Sequence, residues 1–89
     1  MIKCNVTVCG IINRDATTRT NKEGKPFFTL PLQIMVPATD GQEEPLEIDV
    51  SKDGGHEEAT RYRKGSSVEI SGTMYLKHRG DRTYFNLFA

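Results

Sequence analysis

Residues Gly10–Leu32 read GIINRDATTRTNKEGKPFFTLPL, an apolar end and a second apolar run joined by a polar middle. The middle, Asn13 to Lys25, is rich in threonine, carries Arg14, Arg19, Lys22 and Lys25, and closes in a Gly24-Lys25-Pro26 turn. Upstream, Ile2, Cys4, Val6, Val8, Gly10 and Ile12 share one parity, while Lys3, Asn5, Thr7 and Cys9 share the other. A period of two predicts a half-buried first strand. Downstream, Phe28, Leu30, Leu32, Ile34 and Val36 are expected to face inward from a second strand over about 27–36, with Phe27, Thr29, Gln33 and Met35 outward. Pro31 lacks a ladder donor, which predicts an edge, a bulge or a bend there. Strong bending is what a small closed barrel demands of its strands.

The rest of the chain extends the pattern. Pro37 to Pro45 reads as an acidic loop, followed by a short third strand with Leu46, Ile48 and Val50 inward and Glu47 and Asp49 outward. Gly54-Gly55 breaks it, and His56 to Arg63 predicts about two helical turns. After a Lys64-Gly65-Ser66-Ser67 turn, Val68, Ile70, Gly72, Met74 and Leu76 alternate with Glu69, Ser71, Thr73, Tyr75 and Lys77 in a fourth strand. His78 to Arg82, centred on Gly80-Asp81, makes a basic hairpin tip, and Thr83 to Ala89 a fifth strand with Phe85 and Leu87 inward. Gly10, Gly65 and Gly72 are expected to serve backbone geometry. The order β-β-β-α-β-β predicts an all-β, five-stranded Greek-key OB-fold barrel with a short helix between strands three and four, filling residues 1–89 as one domain. In such barrels the strand 2–3 face and the loops bind oligonucleotides.

A chain of 89 residues supports only a small core, so a homodimer or homotetramer is expected. No apolar run reaches the roughly 18 residues of a membrane span, and the N-terminus lacks the layout of a signal peptide, so a cytoplasmic protein is expected. Cys4 and Cys9 have opposite parity in a strand and should remain unpaired, reduced thiols. His56-Glu57-Glu58 invites a metal reading, but Thr60 stands where His-Glu-x-x-His needs its second histidine. Neither catalysis nor a cofactor is implied. The formal net charge is +0, yet residues 40–58 hold eight acidic side chains against Lys52 alone, while the remainder holds eleven basic and four acidic ones. Only the local field meets a ligand, so this asymmetry matters more than the total. The acidic segment reads as a solvated loop, or as a patch that confines a polyanion to the opposite side.

Three segments resemble the bacterial single-stranded DNA-binding protein (SSB) family and, less closely, its relative the primosomal replication protein. They are Val6-Thr7-Val8-Cys9-Gly10-Ile11-Ile12 followed by Arg14-Asp15, Gly24 to Leu32, and Ala59, Tyr62 and Lys64 to Gly72. The resemblance implies single-stranded DNA as partner, bound largely without sequence preference, in replication, recombination, repair or plasmid transfer. Replication or repair proteins are possible further partners. Such binding uses cations along the phosphates and rings under the bases. Here the cations would be Arg14, Arg19, Lys22, Lys25, Lys77, Arg79 and Arg82, with Arg61, Arg63 and Lys64 as a second cluster. Phe27, Tyr75 and Tyr84 have outward parity and could stack on bases or, equally, form a subunit interface. Phe28 and Phe85 have core parity; Phe88 is undecided. The family commonly stacks bases on tryptophans, one of them at the start of strand three; this chain has none and offers Leu46, beside acidic Glu47 and Asp49. Those departures keep open an alternative, an OB-fold adaptor working through protein contacts with weak or no DNA affinity.

Overall fold

Alternating side chains let a strand bury one face and solvate the other, and that constraint sets the register of every strand here. The computed structural model describes residues 3–89, so Ile2 and its expected core position lie outside the described residues. The elements are β1 (Cys4–Ile12), β2 (Thr17–Thr20), β3 (Pro26–Pro37), β4 (Glu43–Asp53), α1 (His56–Ala59), β5 (Ser67–Arg79) and β6 (Arg82–Phe88). Hydrogen bonding orders them β1-β5-β6-β4-β3-β2, and a further β1–β3 pairing closes five of them into a ring. The β4–β6 contact is parallel and the other pairings are antiparallel.

Inside the ring Ile12, Phe28, Leu30, Leu32, Ile48, Val50, Ile70 and Leu87 are buried, and Ala59 of α1 packs against them. The Phe28 and Tyr62 rings meet with centroids 5.2 Å apart, so the segment after α1 covers this end of the core. Gly10 and Gly72 lie where strands approach most closely: a Cβ on Gly10 would run into the Gln33 carbonyl, and one on Gly72 into the Phe88 carbonyl. Gly65 has φ +89, a turn conformation that side-chain-bearing residues rarely adopt.

The polar middle of Gly10–Leu32 is not wholly loop. Thr17–Thr20 forms β2, a sixth strand, paired with β3 from Thr17↔Thr29 to Thr20↔Pro26. All its residues are exposed, so no apolar alternation marks it, and backbone pairing with its three β-branched threonines holds it. Pro31 sits where the partner of β3 changes from β2 to β1. Its carbonyl accepts from the Asn13 N–H at 3.0 Å, and its missing donor faces the gap between those strands. This proline is therefore tolerated inside the sheet without breaking a ladder.

Other expectations are corrected. The acidic loop is shorter than 37–45, because Glu43–Pro45 already belong to β4. The helix is a single turn, His56–Ala59, with its first N–H groups met from within: Glu58 Oε2 accepts from the Gly55 N–H at 2.8 Å. The backbone N–H of Glu58 itself and then the Gly55 N–H hold the Glu58 carboxyl below its ordinary value; Arg61 adds to the effect. Cys4, Val36, Leu76 and Phe85, all of core parity, are exposed. Cys4, Val36 and Leu76 lie towards strand ends and Phe85 pairs with Leu76 on the β5–β6 hairpin, where the strands run past the barrel and parity no longer means burial. Cys4 and Cys9 are free and exposed, and the Cys9 Sγ–H points to the Glu69 carboxylate at 3.8 Å.

Candidate nucleic-acid interface

The outward faces of β3, β4, β5 and β6 form one surface. In register, Tyr75 faces Asn86, Asn86 faces Asp49, and Asp49 faces Pro31, a row across four strands. At about 4.8 Å per strand the row spans roughly 14 Å. A second row runs Arg19, Phe27, Asp53. The first row and the Arg19–Phe27 pair of the second line a groove of about 470 Å³, together with Arg14, Thr29, Ser51, Lys77 and Arg79.

Local bonds place the cations. Asp15 Oδ1 accepts from the Lys64 N–H at 2.7 Å, and the Ala16 N–H donates to the Tyr62 carbonyl at 3.1 Å. These tethers fix the bend between β1 and β2 and so set Arg14 at one rim. Pairing with β3 sets Arg19 beside Phe27 on the same side. Lys77 and Arg79 come from the opposite rim, on the exposed hairpin of β5 and β6, whose strands are joined through Gly80-Asp81. Two basic walls thus flank a floor with a ring at each side.

Six of the ten residues singled out from the sequence meet in this groove: Arg14, Arg19, Phe27, Tyr75, Lys77 and Arg79. Arg82 and Tyr84 are the cross-strand partners of Arg79 and Lys77, on the hairpin beyond the groove. Lys22 and Lys25 lie in the exposed β2–β3 turn, tightened by Asn21 Oδ1, which accepts from the N–H groups of Glu23 and Lys25 at 2.9 Å each. Neither lysine lines the groove. Arg63 of the second basic cluster lines a separate depression against α1. Phe28 is buried, whereas Phe85 is 36% exposed and Phe88 49%.

The acidic segment does not lie wholly away from the cations: β4 lies between β3 and β6, and its Asp49 lines the groove itself. Glu47 is instead held by Asn13, whose Nδ2–H donates to Glu47 Oε2 at 2.9 Å. Leu46, standing where the resemblance expects a tryptophan, is half-buried against the core. Asp49, Ser51, Thr29 and Asn86 are groove residues that the sequence reading did not select. For Asn86 the available signal was a lone amide between Phe85 and Leu87 in an apolar strand. Among the described residues no group of His, Cys, Asp and Glu is arranged to hold a metal ion, and no helix is long and apolar enough to cross a membrane.

No family model matches the sequence, and no curated protein sequence matches it. Solved structures do. A small single-stranded DNA-binding protein from Streptomyces coelicolor superposes with a TM-score of 0.75 at 13% identity, covering 98% of this chain and 87% of that one. The mitochondrial single-stranded DNA-binding protein Rim1 from S. cerevisiae superposes with a TM-score of 0.69 at 20% identity, covering 99% and 88%. At these identities the likeness lies in the backbone: the chain has the OB-type fold of those proteins over nearly its whole length.

Proposed function

We propose that the chain binds single-stranded DNA, largely without sequence preference, as a binding protein rather than a catalyst. The observation that carries this reading is the groove, which gathers Arg14, Arg19, Lys77 and Arg79 around Phe27 and Tyr75 from elements far apart in sequence. Cations on both rims suit a phosphate backbone and rings on the floor suit unstacked bases. The fold is also shared with two proteins named for this ligand. Protection or organisation of single strands in replication, recombination, repair or plasmid transfer is the corresponding role, in the cytoplasm and as a homo-oligomer.

The test is a titration of fluorescent oligo-dT at several salt concentrations. Sub-micromolar binding is expected, with log K falling against log salt at a slope of about −3, as four neutralised phosphates on a single strand require. No binding at low salt would overturn the reading. Asp49 in the groove and the exposed Leu76 and Phe85 favour the second reading, an adaptor that works through protein contacts. That reading predicts a flat titration.

A further inference from the structure

Asn86 sits on the groove floor, on β6 between Tyr75 of β5 and Asp49 of β4. It is 7% exposed, and its Nδ2 is buried without a hydrogen-bond partner, the one such side-chain nitrogen or oxygen among the described residues. An unpaired buried donor costs stability, and an apolar side chain of the same shape would remove that cost. The amide belongs to the residues lining the groove, so an incoming ligand is the natural source of the missing acceptor.

The neighbours decide what kind of ligand group that is. The Asp49 carboxylate repels phosphate, which is drawn to the cations on the rims. Tyr75, 47% exposed, offers a ring on which a base can stack beside the amide. A base edge, not the backbone, therefore occupies this point. Its edge must supply donors to a carboxylate and an acceptor to an amide N–H. Guanine meets both demands: N1–H and the 2-amino group form two parallel bonds to a carboxylate, and O6 lies next to them. Thymine offers a carboxylate a single N–H, and adenine and cytosine only their amino group. Resting on the single-strand reading of the groove, we infer that Asn86 and Asp49 form a base-reading position that prefers guanine within otherwise sequence-tolerant binding.

The experiment uses the full chain and short dT oligonucleotides carrying one central dT, dA, dC, dG or deoxyinosine, which lacks the 2-amino group. The dG oligonucleotide should bind about tenfold tighter than all-dT, and deoxyinosine should lose most of that gain. In Asn86→Leu the dG-over-dT ratio should fall to about one and Tm should rise, because the unpaired donor is gone. In Asp49→Asn, an exposed position that tolerates the change, all-dT should bind more tightly and the preference should again vanish. Tight all-dT binding with equal affinity for every oligonucleotide overturns the inference and leaves the single-strand reading standing. So does a guanine preference that persists in Asn86→Leu, or a lowered Tm in that variant. Absence of all-dT binding removes both.

Discussion

Arg19 and Lys25 are close in sequence and carry the same charge, but the fold gives them different surroundings. Arg19 stands beside Phe27 on the groove wall, whereas Lys25 sits in a solvated turn. Arg19→Glu should weaken oligo-dT binding by at least about tenfold, since a charge-assisted contact becomes repulsive. Lys25→Glu should change it far less, through the general field alone, and both affinities come from the same titration. Tyr75 is tested separately. Tyr75→Ala should cost about 1–3 kcal/mol of binding without changing the salt slope, because stacking releases no counterions, and Tyr75→Phe should restore it. If the slope moved with Tyr75→Ala, the ring would be acting through the phosphate contacts instead. Parity placed Phe27 and Tyr75 outward because the strand period is two. The same rule misplaced Leu76 and Phe85, which face each other on the hairpin beyond the barrel, where no second layer covers them.

At the scale of elements, the shortest pieces depend most on their neighbours. The one-turn α1 is far too short to persist alone. It is held by packing of Ala59 on the core and by the Glu58 carboxylate on the Gly55 N–H. The Glu58 carboxyl is held below its ordinary value of 4.5, so its contribution is present above that value and is lost as pH falls through and below it. Glu58→Gln should therefore have a lower Tm than the parent at neutral pH, with the gap closing on acidification, read by thermal unfolding from neutral pH down to about pH 3. A gap independent of pH would mean that the charge is not what caps the turn. β2 shows the converse of a packed element. It buries no side chain and forms because β3 offers an edge, so hydrophobic periodicity could not reveal it and only its threonines hinted at it.

For the whole molecule, one core serves the ring, α1 and the floor of the groove. Phe28 is fully buried, opposite Lys52 in register and against the Tyr62 ring, on the strand that also presents Phe27 to the groove. Phe28→Ala should lose about 3–5 kcal/mol, a large part of the 5–15 kcal/mol that stabilises a domain of this kind. Denaturant unfolding should record it as a lowered midpoint with the slope unchanged. Binding should fall with it at temperatures where the variant unfolds and recover on cooling. Closure of the ring also mixes charges that the sequence keeps apart. β4 lies between β3 and β6, so its Asp49 ends up in the groove between the basic rims rather than behind them.

By itself the sequence determined the faces of the strands within the barrel, the helix position, the breaks at Gly54-Gly55 and Gly80-Asp81, and the all-β architecture. These follow from local rules of alternation and turn chemistry, which need no knowledge of what lies across the sheet. The existence of β2, the exposure of Phe85 and the placing of Asp49 and Asn86 on the groove floor were decided only by the tertiary structure. Each depends on which strands become neighbours, and that is settled by closing the ring over one shared core, a contact between residues distant along the chain. Gly10–Leu32 shows the division. Its ends were legible as strands, but only the closed barrel separates Arg14 and Arg19, which line the groove, from Lys22 and Lys25, which face solvent in the turn.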